Sequence, residues 1–241
     1  MDTIRVENYE LYDGSIYTGE CIKMHPNFVG IELTGKGIIA YPNGDKYDGD
    51  FYDGKHDGYG KYMFHDGDVH YGWFSDGMPK GVGYLNMNSK MNMGNFTDRS
   101  LLNGWGIKLG GDTQIGWWES GKLVKNMTSQ IGWAVEIIVK ISEIRNSKKS
   151  WAIHYKNGLF GLGVSQMNYE DYIEPFFGFM FFKDGNASVG FHFDFKKSGF
   201  CAYLKNDSSI EYGLYNNDVF EKNCSQEELI EGWEYELYYE Q

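Results

Sequence analysis

In residues 47–51 small and aromatic side chains alternate with acids. Tyr47, Gly49 and Phe51 share one side of an extended chain, and Asp48 and Asp50 take the other. The alternation returns in residues 58–64, where Gly58, Gly60, Tyr62 and Phe64 share a side. Asp53-Gly54 and Asp57-Gly58 lie between the two runs, and Asp66-Gly67 follows with residues suited to a tight reversal. The pattern predicts a β-hairpin with one aromatic and one charged face. Period-two alternation also predicts a strand through Trp133, Val135, Ile137, Val139 and Ile141. A loop at 145–150, a strand at 151–156 and a turn at Asn157-Gly158 follow it. Phe177, Phe179 and Phe181 are then set to face Phe191, Phe193 and Phe195 across a turn at Asp184-Gly185. The tail changes period: Ser225 to Glu228 reads as a capping box, with Leu229, Ile230, Trp233 and Leu237 on one helical face. Gly232 costs about 1 kcal/mol in a helix interior, so this helix needs packing, over the last strand or onto the aromatic groove.

The hairpin recurs. Gly35-x-Gly37, Gly58-x-Gly60, Gly81-x-Gly83 and Gly104-x-Gly106 each stand 23 residues after the last. Gly49, Gly72, Gly94 and Gly116 run in phase, each with an aromatic two residues on: Phe51, Phe74, Phe96 and Trp118. A period of this size marks an array whose units stack on their neighbours, and a lone hairpin is marginal in water. Later the period weakens, but Asp184 and Asp207, and Gly190 and Gly213, again lie 23 apart.

These units resemble the MORN (membrane occupation and recognition nexus) repeat: Tyr-x-Gly-x-aromatic, then Gly-x-x-x-Gly-x-Gly, then Asp-Gly. Residues 47–67 fit almost completely, and 70–83 fit with His70 for the leading Tyr. Residues 17–44 fit with seven extra residues, 92–106 are looser, and 116–121 open a further unit. The likeness covers residues 12–121, with degenerate copies in 177–220. It implies an all-β chain: an elongated single-layer antiparallel sheet of MORN-type hairpins with an aromatic groove. The expected organisation is a repeat array at 1–121, a divergent β segment continuing the sheet at 122–176, degenerate hairpins at 177–224 and a helical cap at 225–241. One continuous sheet is the first reading, and two separate domains the second.

Composition agrees with closely paired strands: 17% of residues are aromatic, and 32 glycines stand against 4 prolines. There is no basic run followed by an apolar core at the N-terminus and no apolar stretch of the roughly 18 residues needed to span a bilayer. Three scattered cysteines make neither a disulfide framework nor a zinc pattern. A cytoplasmic protein is expected, membrane-adjacent or within a virion if the source is viral. The net charge of −12 argues against nucleic acid. It is uneven: residues 45–68 carry seven aspartates, whereas 122–156 carry seven bases against two acids.

No catalytic pattern competes with the repeats. The six histidines lack ligand spacing, and His70 reads as a ring substituting for a ring. Asp48, Asp50 and Asp53 fail as an EF-hand loop because Tyr52 holds the fifth position and no glutamate closes it. The G-x-G units lack the third glycine and strand–helix context of a dinucleotide site. Family members that carry SET-type methyltransferase or lipid kinase domains are not matched: there is no Asn-His-Ser segment, and roughly 120 strand-rich residues follow Gly121. We therefore expect no enzyme activity, cofactor or metal. The expected function is a scaffold that binds a helix or extended peptide of a protein partner through Tyr47, Phe51, Tyr62, Phe64, Phe74, Phe96 and Trp118, taken as an exposed strip. The alternatives are attachment to anionic membrane through Lys140, Arg145, Lys148 and Lys149, or a structural part of a larger assembly such as a viral particle. Self-association is left open.

Overall fold

The computed structural model describes residues 3–23, 30–88, 90–132, 134–136, 152–156, 159–165 and 176–239. The chain is predominantly β, antiparallel throughout its described pairings, with a short C-terminal helix. A first sheet takes its strands in chain order: β1 (Thr3–Glu10), β2 (Ile16–Lys23), β3 (Ile31–Ala40), β4 (Lys46–Tyr52), β5 (Lys55–Met63), β6 (Val69–Ser75), β7 (Met78–Met87), β8 (Lys90–Phe96), β9 (Leu102–Leu109), β10 (Gln114–Glu119) and β11 (Lys122–Asn126). A second sheet does the same with β12 (Ala152–Lys156), β13 (Leu159–Ser165), β14 (Phe176–Phe181), β15 (Ala187–Phe193), β16 (Lys196–Leu204), β17 (Ile210–Asn216) and β18 (Val219–Asn223). Contacts divide the chain into two compact units: Met1–Leu102 with Lys108–Asp112, and Asn103–Ile107 with Thr113–Gln241.

Among the described residues the strands fall into two sheets, where the first reading of the sequence is one continuous sheet. The ladder ends at Asn126, and residues 128–132 and 134–136 are helical, the last three within the strand expected from Trp133 to Ile141, whose other residues lie outside the described ones. The Asn126 side chain accepts from the Thr128 amide at 2.9 Å and starts the helical turn. Ile131, Ala134 and Val135 are buried, and that three-to-four spacing is a helical one, which burial of Ala134 beside Val135 separates from alternation.

Two turn designs recur in both sheets. In the first, exemplified by residues 41–45, the Tyr41 amide donates to the Asp45 carbonyl and the Gly44 amide donates back to Tyr41, both at 2.9 Å. The Asn43 side chain accepts from the Asp45 amide at 3.1 Å. The same bonds close the loops that begin at Leu11, Phe64, Phe182 and Lys205. The second design has two central residues at positive φ, such as Asp53 (50°) and Gly54 (73°), or Asp76 (53°) and Gly77 (81°). Both residues left-handed define the reversal whose twist matches the flanking strands.

The glycines line up across strands. In the first sheet Gly19, Gly37, Gly49, Gly60, Gly72, Gly83 and Gly94 are successive cross-strand partners from β2 to β8. In the second sheet the row is Gly163, Gly178, Gly190, Cys201 and Gly213. The ladder shifts register immediately after the row, between Gly19 and Cys21, Gly49 and Phe51, Gly72 and Phe74, and Gly190 and His192. Rings lie over the bare backbone. A Cβ at Gly37 would overlap the Tyr17 ring, and one at Gly60 would overlap the Tyr47 ring. The two hydroxyls donate to the Glu20 and Asp50 carbonyls at 2.6 and 2.9 Å, which pins each ring across the irregularity.

The C-terminal helix (Gln226–Tyr239) opens with the expected box: the Ser225 amide donates to Glu228 Oε2 at 2.7 Å, and the Glu228 amide to Ser225 Oγ at 3.1 Å. Leu229 and Trp233 are fully buried. The helix lies on β16 and β17, with the Trp233 indole N–H on the Phe200 carbonyl and its ring edge-on to Phe177 at 4.8 Å. It therefore covers the face opposite the glycine row, neither the last strand alone nor the glycine-face rings. Gly232 is the site of closest approach, since a Cβ there would strike the Phe200 ring. Across β14 and β15 only Phe177 and Phe191 pair as predicted, at 5.1 Å. The five-residue turn sets Phe179 opposite Val189 and Phe181 opposite Ala187, leaving Phe193 half exposed.

Candidate functional site

The seven rings expected to form an exposed strip do share the glycine face, but most of them are core. Tyr47, Phe51, Phe74, Phe96 and Trp118 are each at most 4% exposed, while Tyr62 and Phe64 are partly exposed. The strip is corrected accordingly. In the first sheet Tyr17, Tyr47 and His70, each two residues before a row glycine, meet edge to face the ring two residues after the row glycine two strands on. Tyr17 meets Phe51 at 5.3 Å, Tyr47 meets Phe74 at 5.0 Å, and His70 meets Phe96 at 5.6 Å. The register shift turns these rings toward one another and away from solvent. Trp118 is held in the other unit, its indole N–H on the Gly106 carbonyl at 3.0 Å.

Polar groups buried within this core are few and specific. Asp45 loses solvation by burial, which raises its pKa. The His65 amide, the Tyr62 hydroxyl at 2.8 Å, the His65 ring and the Asn43 amide outweigh that and bring it to about 2. His56 lies against Tyr47 at 3.7 Å between ring centroids, with Nε2 2.7 Å from the Tyr41 hydroxyl; burial lowers its pKa to about 4. His70 is 1% exposed, and among the described residues neither ring nitrogen has a hydrogen-bond partner; burial lowers it also to about 4.

The opposite face of the first sheet holds the rings that remain accessible. Tyr59 stands across from Trp73, and Tyr71 across from Tyr84, all four partly exposed. Tyr59 and Tyr71 meet edge to face at 4.9 Å. Lys61 is the neighbour of Tyr71 on β5, and the buried Val82 and Met93 bound the patch toward β8. Sequence reading had made this face purely charged, from the acids of β4. The signal was present in the alternation of Tyr59, Lys61 and Met63 with the glycine-face residues, one position out of phase.

The second sheet carries a polar core on its glycine face. Ser188 Oγ lies 2.7 Å from His192 Nε2, and both residues are fully buried. Burial, and then the nearby Lys197 charge, lower His192 to about 3. Lys197 pairs with Asp218 at 2.9 Å, Lys205 with Glu211 at 2.8 Å, and the Tyr215 hydroxyl donates to Glu211 at 2.8 Å. A constant offset of 141 residues relates this region to the first sheet, as in Gly37 and Gly178, Gly49 and Gly190, and Gly72 and Gly213. By that offset Ser188 and His192 stand where Tyr47 and Phe51 stand, and Cys201 where Gly60 stands. The serine–histidine pair thus fills a ring position. Sealed from solvent, it has no access for an acyl or phosphoryl substrate. Trp105 and Lys125 reach the same region, donating to the Lys205 carbonyl at 2.6 Å and the Ser208 carbonyl at 2.7 Å.

Lys140, Arg145, Lys148 and Lys149 lie outside the described residues. Among the described residues no three His, Cys, Asp or Glu side chains converge to hold a metal ion, and no helix is long and apolar enough to cross a membrane. Cys21, Cys201 and Cys224 are thiols. Compared with known proteins, the chain matches no family model and no curated protein sequence.

Proposed function

We propose that the chain is a non-catalytic repeat scaffold that binds a protein segment on the outer face of its first sheet. The observation that carries this reading is the patch of Tyr59, Tyr71, Trp73 and Tyr84, partly exposed on three consecutive strands. Tyrosine and tryptophan offer large contact area at small entropic cost and recur where partners are anchored. Six aspartates besides the buried Asp45 lie in residues 45–68, against Lys46, Lys55 and Lys61 and with Lys36 paired to Asp50, and they give this part of the sheet a negative balance. The segment that fits is therefore extended or helical, with basic residues flanking apolar anchors. The resemblance to MORN repeats supports a scaffold role, and the glycine-face rings serve it by stiffening the platform.

The test compares capture of partners by the full chain and by a Tyr71→Ser/Trp73→Ser double variant shown by circular dichroism to be folded. The expected result is at least a tenfold loss of the captured segment, about 1.4 kcal/mol or more, with the crosslinked peptide carrying Lys or Arg. Equal recovery by a folded double variant would refute the reading.

A further inference from the structure

Three rings and a carboxylate converge on one ammonium group in the second sheet. The Lys197 Nζ lies 4.5 Å from the ring centroid of Tyr203, 5.2 Å from that of Tyr215 and 5.4 Å from that of Phe182. Asp218 Oδ1 is 2.9 Å away and also accepts from the Lys197 amide at 2.8 Å. The lysine side chain is 10% exposed, whereas that of Asp218 is 42% exposed, so the carboxylate marks the side open to water. Glu211 is engaged by Lys205 and by the Tyr215 hydroxyl, which leaves Asp218 as the carboxylate meeting this cation.

The first sheet contains the same pocket with a different occupant. At the offset of 141 residues, Phe182, Tyr203 and Tyr215 correspond to Tyr41, Tyr62 and Phe74, and Lys197 corresponds to His56. Those three rings surround the imidazole at 6.1, 5.9 and 5.8 Å. The Gly77 amide donates to the His56 carbonyl at 2.9 Å as the Asp218 amide donates to the Lys197 carbonyl at 3.0 Å. Of the differences between the pockets, two bear on room and charge. Ser188 replaces the Tyr47 ring on which His56 stacks, which makes room for a four-carbon stem. Asp218 replaces Gly77, which supplies the negative charge. A pocket that holds a neutral ring in one sheet thus has in the other the aromatic faces and carboxylate that suit an organic cation.

We infer that Phe182, Tyr203, Tyr215 and Asp218 form a binding site for an alkylammonium group, closed in this structure by the chain's own Lys197. The ligand class is a primary amine on an unbranched alkyl chain, as in a lysine side chain. Access requires Lys197 to withdraw, so the tether acts as a built-in competitor. The site is separate from the aromatic patch of the first sheet and does not rest on its function.

The test uses the full chain with Lys197→Ala and n-butylammonium chloride as probe, against sodium chloride at equal ionic strength. The expected result is that butylammonium raises the thermal midpoint of Lys197→Ala and leaves the wild type unmoved. Adding Asp218→Asn should weaken the response about tenfold, the loss of one charge-assisted hydrogen bond. A folded Lys197→Ala chain that responds to butylammonium no more than to sodium overturns the site, as does an equal response in the wild type. If Lys197→Ala does not fold, NMR of the wild type decides. The Lys197 ε-methylene protons must be shifted upfield by ring currents, and unshifted resonances in the folded chain would overturn the cage.

Discussion

At the scale of single residues, the buried imidazoles set the response to acid. His56, His70 and His192 have folded pKa values of about 4, 4 and 3, below the 6.5 of a free histidine, because burial disfavours the charged ring. The folded state therefore binds fewer protons than the unfolded chain. Their stabilisation is complete above pH 6.5 and is lost as pH falls through 6.5 toward 4. At pH 5 each costs about 2 kcal/mol. With two of the three in the first unit, that unit should lose about 4 kcal/mol between pH 7.5 and 5, measured by urea denaturation. A flat profile across that range would show that the histidines are not buried neutral. Asp45 acts later: its depressed pKa gives stabilisation present above about pH 4 and lost as pH falls toward 2. His70 also leaves two ring nitrogens without hydrogen-bond partners among the described residues. His70→Phe should therefore stabilise the chain by about 1 kcal/mol at pH 7 and flatten its acid profile. A loss of stability at pH 7 would mean the imidazole makes a contribution that its surroundings do not reveal.

At the scale of elements, the glycine row and the rings over it form one device. Gly60→Ala should cost about 1–3 kcal/mol, because the new methyl meets the Tyr47 ring. The second sheet shows the compensated version, with Cys201 in the row and Ser188 in place of the ring. The cost of Gly60→Ala should accordingly fall below about 1 kcal/mol in a Tyr47→Leu background, a coupling readable from a double-mutant cycle. Additive penalties would break the link between row and ring. The C-terminal helix belongs to this scale too. Removing residues 225–241 uncovers Phe177 and Phe200, so the thermal midpoint of the chain should fall by several degrees. A truncated chain with an unchanged midpoint would contradict this.

At the scale of the whole molecule, two units repeat one plan with different interiors. Much of it was legible from residues. The 23-residue period and the Asp-Gly turns encode hairpins because positive φ falls where those residues tolerate it. The capping box at Ser225 likewise fixed where the helix begins. The helix at 128–132 and 134–136 was not legible, because Val135 belongs to an apolar alternation that reads as a strand, whereas the burial of Ile131 and Ala134 that marks a helix appears only in the structure. The candidate site was legible only in part. Alternation grouped Tyr47, Phe51, Phe74 and Phe96 correctly on one face, yet could not say that the face closes on itself.

The order of residues by itself determined strands, turns and which side chains share a face, since these depend on backbone geometry over a few positions. Tertiary structure alone decided which face is core, where the described strands divide into two sheets, and that Lys197 would sit among two strand rings and one from a turn. Those outcomes depend on register between strands and on what each ring meets across it, and no local pattern carries that information.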